Sequence, residues 1–282
     1  MELRQSERQQ AKIKIAVQGV SGAGKTYSSL LMAKGLANGN LSKVAVIDTE
    51  NGSADLYAHL GSYKVVRLKP PFSPDKYIEA IDLCLANDIN TIVVDSMSHC
   101  WEYLLNYHST LKGNSFTNWS VITKLQEEFI NKILQADTHI ICTMRCKEAY
   151  ALKQDKNGKY IPERVGLKPI QRNQISFEFT TVFDISANHL ARVTKDRSNL
   201  FLEQEFLITE KTGDRILEWC NNGTTLDEVR KKIKDCNTLE NLRVLYSQYE
   251  YWRTSLNEDF KIRKDTIALL QNKTSDLNGA TC

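Results

Sequence analysis

Lys25 and Thr26 close the octapeptide Gly19-Val20-Ser21-Gly22-Ala23-Gly24-Lys25-Thr26, a complete G-x-x-x-x-G-K-[ST] spacing. Glycines at these positions let backbone N–H groups turn inward around a phosphate, and a helix beginning at the loop adds partial positive charge. Gly19, Ser21, Gly22, Ala23 and Gly24 are the candidate cradle. Lys25 is placed to reach the β and γ phosphates, and Thr26 to offer its hydroxyl to Mg²⁺. A charge pair about 4 Å apart at an effective dielectric of about 20 is worth ~4 kcal/mol, so Lys25 carries a large share of any such binding. An ordinary glycine-rich turn is the competing reading.

Two carboxylates could work beside this loop. Glu50 follows the apolar run KVAVID at 43–48, and Asp95 ends INTIVVD at 89–95. A carboxylate at the carboxyl end of a parallel strand lies on the ligand edge of an open sheet. Glu50 is therefore the candidate for orienting and activating water, or else it caps a loop with Asn51 and Gly52. Asp95 is the candidate for holding Mg²⁺ directly or through water. His99 and His108 could be ligands or bases, and Trp119 could stack a base, but packing roles suit all three.

The elements around these residues can be read from periodicity. Ile13, Ile15 and Val17 alternate with Lys12, Lys14 and Gln18, predicting a strand before the loop. Leu30, Leu31, Ala33 and Leu36 recur at helical spacing after it, with a stop at Asn38-Gly39-Asn40. Further strands are expected at 63–69, 139–144, 177–185, 190–194 and 206–209. Helices are expected from Ser73-Pro74-Asp75, over 99–112, over 118–135 and over 214–220.

Between 145 and 172 the apolar periodicity fades. Arg145, Lys147, Lys153, Lys156, Lys159, Arg164, Lys168 and Arg172 stand against Glu148, Asp155 and Glu163, a local net charge of +5 against +3 for the whole chain. Tyr150 and Tyr160 are interleaved. Such an excursion on the ligand side suits a single-stranded nucleic-acid backbone with stacked bases, or it is an exposed hairpin with a solvated face. Lys195-Asp196-Arg197 forms a K-x-R triplet at a strand end; such cations can complete a neighbouring subunit's phosphate site, where an arginine finger contributes about 10³ to 10⁵ in rate.

The 282 residues are 41% hydrophobic and 25% charged, enough for one α/β domain and a small appendage. The polar start MELRQSERQQ leads to the expectation of no signal peptide, and the lack of an 18-residue apolar run to that of no membrane span. Seven scattered cysteines without histidine partners read as reduced thiols in a cytoplasmic protein. Expected divisions are a flexible arm at 1–11, an α/β core at 12–223, a helical module at 224–272 and a tail at 273–282. In the module, Thr225 and Asn237 each precede a Glu by three residues, the reciprocal capping arrangement, and a third helix is expected near 258–271.

Together GVSGAGKT, AVIDTE, IVVDS and KDR resemble the RecA-like branch of P-loop ATPases over about residues 12–210. The resemblance implies a RecA-like α/β core with a mainly parallel central sheet flanked by helices, and ATP with Mg²⁺ as cofactors. It also implies Glu50 as catalytic glutamate, Tyr57 as the ring stacked on adenine, and Lys195 and Arg197 acting in trans in a homo-oligomer. The strand ending in TMR departs from RecA, where a glutamine senses the γ phosphate, leaving Thr143 or Arg145 as sensor. The chain looks most similar to phage-encoded RecA-like ATPases associated with single-strand annealing. That implies a single-stranded DNA partner and a replication or recombination partner for the helical module. A small-molecule phosphotransferase, with 145–172 as lid, and a nucleotide-gated helicase loader are the alternatives.

Overall fold

The computed structural model describes residues 6–154, 160–201 and 205–278. They divide into a core of residues 12–220 and a helical unit of 221–278 that includes residues 6–11.

In the core, β1 (Lys14–Gly19) leads through the glycine-rich loop into α1 (Lys25–Leu36), followed by β2 (Val44–Asp48) and β3 (Lys64–Arg67). Then come α2 (Pro74–Ala86), β4 (Thr91–Asp95), α3 (Ser98–Thr110), α4 (Ser115–Gln135) and the long β5 (His139–Gln154). β6 (Tyr160–Pro169), β7 (Thr181–Ile185), β8 (Ala191–Asp196), β9 (Glu205–Phe206) and α5 (Glu210–Asn221) complete it. The sheet order is β3-β2-β4-β5-β1-β7-β8-β9, with β6 paired to β5. The strands from β3 to β7 run parallel, while β8 and β9 are antiparallel at one edge.

Both faces of this sheet are covered, which explains the near-continuous apolar runs of β2 and β4. Ala45, Ile47, Ile92 and Val94 pack with Tyr77, Leu104, Phe129 and Ile133 on one face. Val44, Val46 and Val93 pack with Leu30, Met32, Leu36 and Ile216 on the other. Each such side chain contributes about 1.5–3 kcal/mol on leaving water. The alternation in β1 marks a strand but not a wet face, since all six of its residues are buried. Lys14 donates to the carbonyls of Ala136 at 2.7 Å and Thr138 at 2.6 Å. Burial pulls its ammonium down to about 7, against the opposing charge of Asp137.

The basic excursion is an antiparallel hairpin of β5 and β6, with a register shift between Ala149 and Tyr150. Among the described residues β6 pairs with β5 alone. The strand expected at 177–185 is shorter, because Ile175–Phe177 forms a 3₁₀ turn before β7.

In the helical unit, α6 (Leu226–Asp235), α7 (Leu239–Gln248) and α8 (Arg253–Asn278) surround Val229, Ile233, Leu242, Tyr249, Leu256 and Phe260. The capping box at Thr225 and Glu228 forms. At α7 the cap falls one residue later than expected, with Thr238 accepting from the Asn241 amide at 3.2 Å. α8 extends beyond the expected 258–271 at both ends and takes in residues assigned to the tail.

Residues 6–11 are not a free arm. Glu7 accepts from Thr224, from Lys232 at 2.9 Å, from Gln248 at 2.6 Å and from the Tyr249 hydroxyl at 2.8 Å. The hydrogen bond from Thr224, then those from Lys232 and Tyr249, hold the Glu7 carboxyl down at about 2. The unit's boundary in the chain accordingly falls at residue 221 rather than 224. Among the described residues no helix is long and apolar enough to cross a membrane.

Candidate functional site

Strand register alone assembles the site. Gly19 lies beside Arg145 and Ile185, and Asp48 beside Asp95, so five neighbouring parallel strands bring these residues to one edge of the sheet. A cavity of about 720 Å³ opens there. Ser21, Gly22, Gly24, Lys25 and Thr26 line it from the loop, with Glu50, Tyr57, Asp95 and Arg145 around them.

The loop residues divide by task. Gly19 and Ala23 are buried and do not line the cavity, whereas the other candidate cradle residues do. A Cβ on Gly19 would sit 2.6 Å from the Ile185 carbonyl oxygen, so only glycine lets β1 run this close to β7. Gly24 has φ of 90°, which glycine adopts without strain, and it starts α1. His189, in the turn between β7 and β8, reaches over the loop with Nδ1 3.0 Å from the Ala23 carbonyl oxygen. Lys25 donates to the Val20 carbonyl at 2.8 Å. Burial lowers its pKa, opposed by the carboxylate of Asp95.

Asp95 is buried between two hydroxyls, Thr26 Oγ1 at 2.6 Å and Thr143 on its other oxygen. Burial pushes its carboxyl up; the two hydroxyls pull it down, while Glu50 and Asp48 push it further up. Asp48 is wholly buried: one oxygen accepts from the Glu50 amide at 2.6 Å, and the other has no hydrogen-bond partner among the described residues. The available donors are hard oxygens in a carboxylate-rich corner, a set that fits Mg²⁺ held by Thr26 and Asp95. Thr143 stands behind Asp95, fully buried and away from the cavity, so of the two sensor candidates only Arg145 faces it.

Glu50 leaves the end of β2 and meets Arg145 in a two-pronged ion pair, Nε to Oε1 at 2.8 Å and Nη2 to Oε2. Ser96 Oγ donates to the same Oε1 at 3.0 Å. Burial raises the Glu50 carboxyl, but the hydrogen bonds and charge of Arg145, with His99 and Ser96, outweigh it and leave the pKa below the usual value. Of the two roles the sequence offered Arg145, basic excursion and sensor candidate, its place in the cavity matches the second. Its own pKa is raised, first by the hydrogen bond to Glu50.

Tyr57 faces the cavity from a 3₁₀ segment, 5.6 Å between ring centroids from Tyr27. Tyr27, His189 and the segment Leu207, Ile208 and Thr209 also line the cavity. None of these five was legible, because Tyr27 reads as an ordinary first-turn residue and the others arrive from sequence positions more than 160 residues beyond the loop. His99 pairs with Thr49 at 2.8 Å and stacks on Phe72, while His108 and Trp101 stack on Trp119.

The K-x-R triplet is not brought to this cavity. Asp196 pairs with Thr181, the first residue of β7, so Lys195 and Arg197 sit at the opposite edge of the sheet. There Lys195 donates to the carbonyls of Ser176, at 3.1 Å, and Phe177, and Arg197 donates to that of Phe177 at 3.3 Å. On the hairpin, Lys147 and Lys168 are exposed and directly opposite in register, Lys153 is exposed, and Arg164 stands opposite Tyr150 in the ladder. Arg172 is partly committed to Glu127 at 3.8 Å. Lys156 and Lys159 lie outside the described residues.

No curated protein matches the chain. Among solved structures it is similar to a KaiC-like protein of the hyperthermophilic archaeon Pyrococcus horikoshii OT3, at 15% identity and a TM-score of 0.39, over 68% of this chain and 84% of that one. The family profile AAA_24, described as an AAA domain, matches residues 11–231. That span takes in the glycine-rich loop, Glu50, Asp95, Arg145 and the whole parallel sheet, and the chain belongs to this family of AAA-type P-loop ATPase domains.

Proposed function

We propose that the chain is a Mg²⁺-dependent ATPase that binds single-stranded DNA along its β5–β6 hairpin and promotes annealing or strand exchange in phage DNA recombination or replication. The observation that carries the reading is the continuity of β5: Arg145, paired with Glu50 in the cavity, is two residues from exposed Lys147 on the hairpin. The Ile170 amide closes the hairpin base onto the Arg145 carbonyl at 2.7 Å. A load on the hairpin therefore acts on the residue that holds Glu50.

Backbone amides of residues 21–25 and the Lys25 ammonium bind the β and γ phosphates. Thr26 and Asp95 would hold the metal, which would supply charge neutralisation on the phosphate oxygens. Glu50 accepts the proton as a water oxygen bonds to the γ phosphorus and the bond to the ADP oxygen breaks. Tyr57 and Tyr27 offer ring faces to the base. Lys195 and Arg197, at the far edge of their own sheet, serve the cavity of a neighbouring subunit in a homo-oligomer.

The test is steady-state ATP hydrolysis with and without single-stranded DNA, with Lys25→Ala as the blank. Several-fold stimulation, lost in a Lys147→Glu/Lys168→Glu protein, is expected. With about five phosphates contacted, log K for DNA should fall against log salt with a slope near −3.5. Turnover indifferent to DNA, or a flat salt response, would sink the nucleic-acid part of the reading and leave a nucleotide-gated assembly factor or a phosphotransferase.

A further inference from the structure

A second concave site lies in the helical unit, apart from the nucleotide cavity. α7 and α8 enclose a groove of about 580 Å³. Its α7 wall is Leu239, Leu242, Arg243 and Tyr246, at i, i+3, i+4 and i+7, one continuous helix face. Its α8 wall presents Asn257, Phe260, Lys261 and Lys264, again at i, i+3, i+4 and i+7. Leu242 and Phe260 form a buried apolar floor, while Arg243, Lys261 and Lys264 are exposed at the rim.

Among the described residues three cations gather at this rim without an ion pair, as Lys231 and Lys234 also stand on α6. Elsewhere in the unit Arg230 pairs with Asp227 and Asp259, Lys232 with Glu7 and Arg253 with Glu250. Arg243, Lys261 and Lys264 have no ion pair among the described residues, and no carboxylate lines the groove. We propose that this groove docks an acidic, amphipathic peptide segment of a partner protein, whose apolar side chains enter between α7 and α8 while its carboxylates meet the three rim cations.

The chemistry favours a peptide over a nucleic acid. An apolar floor offers nothing to a sugar-phosphate backbone, whereas an amphipathic helix presents anchors at i, i+3, i+4 and i+7 to such a groove. The aromatic ring at the rim is also taken: the Arg253 guanidinium lies 4.6 Å over the Tyr246 ring, and Phe260 meets that ring edge-on at 5.1 Å. A base would have to displace both contacts to stack there.

The probe is a fluorescein-labelled peptide of about 15 residues with Asp and Glu on one helical face and Leu and Phe on the other, titrated with the full chain by fluorescence anisotropy. A Kd of the order of 10 µM is expected, weakened about tenfold or more in Lys261→Glu/Lys264→Glu. Tyr246→Ala should also weaken binding, and a melting midpoint unchanged in the double variant shows that the unit stays folded. Any of three results overturns the proposal: no binding of the acidic peptide below ~1 mM, equal binding of a peptide with Lys at the acidic positions, or equal affinity in the double variant. Displacement of the peptide by oligo(dT) would reassign the groove to nucleic acid and overturn it as well.

Discussion

At the carboxyl edge of the sheet, Glu50 and Asp95 are held by other side chains; at the amino edge, Lys14, Lys195 and His139 are held by backbone. Glu50 is paired to Arg145 and Ser96, and Asp95 to Thr26 and Thr143. Across the sheet, Lys14 donates to the carbonyls of Ala136 and Thr138, Lys195 to those of Ser176 and Phe177, and His139 accepts from the Ile13 amide at 3.2 Å. A side-chain partner can rotate away and be replaced by a phosphate, a metal or a water. A backbone partner is released only by deforming the strand or loop that carries it. Lys25 and Asp48 are exceptions at the carboxyl edge: Lys25 donates to the Val20 carbonyl of the glycine-rich loop, and Asp48 accepts from the Glu50 amide. Titratable groups at one edge are thus poised for exchange, and those at the other are part of the frame.

The comparison can be broken from either side. Glu50→Gln should give the largest effect, a loss of about 10² to 10⁴ in turnover with nucleotide binding and melting temperature retained. Phosphate release and a nucleotide-binding titration check it, and undiminished turnover would remove Glu50 as base.

Arg145→Gln should come next, changing turnover by about tenfold, the scale of one lost charge-assisted hydrogen bond. Its sharper readout is the pH profile. Arg145 keeps the Glu50 pKa low, so Glu50 stays ionised to lower pH in the wild type. Without Arg145, burial is left to raise it, and the acid limb of kcat/KM should move to higher pH. An unmoved limb would mean that the pair does not set the basicity of Glu50.

The amino edge should respond in stability alone. His139→Ala orphans the Ile13 amide and should cost about 1–3 kcal/mol, with turnover per folded molecule unchanged. Burial, then the charges of Lys12 and Lys14, hold the His139 imidazole down at about 3 against an ordinary 6.5. Its contribution is therefore present above pH 6.5 and lost as pH falls toward 3. Melting midpoints across that window should decline in the wild type and decline less in the variant. Loss of turnover with stability intact would erase the distinction between the edges.

Glu7→Gln is the smallest, below about 1 kcal/mol because the cluster is partly solvated. The Glu7 carboxyl is depressed, so its stabilisation is present above pH 4.5 and lost as pH falls toward 2. The melting profile of the wild type in that acid window should be steeper than that of the variant.

Legibility in the sequence followed the range of the interaction. The loop from Gly19 to Thr26 was readable because its chemistry lies in one contiguous stretch. Asp95 was readable because it ends a buried run, and Thr225 because a capping box spans only three residues. Arg145 was left with two roles, hairpin cation and sensor, and only the Glu50 pair, across 95 positions of sequence, separates it from the hairpin behind it. The arm at 6–11 was misjudged for the same reason, since Glu7 finds its partners more than 210 positions away.

By itself, the sequence determined the phosphate loop, the carboxylates at strand ends, the α/β class and the helical module, because each is written in short-range spacing or in apolar periodicity. Only the tertiary structure decided which loop residues face the cavity, that Arg145 restrains Glu50, that Lys195 and Arg197 occupy the opposite edge, and that three cations of α7 and α8 flank one groove. Those facts depend on strand order and on helix facing, and a linear pattern does not encode which strand lies beside which.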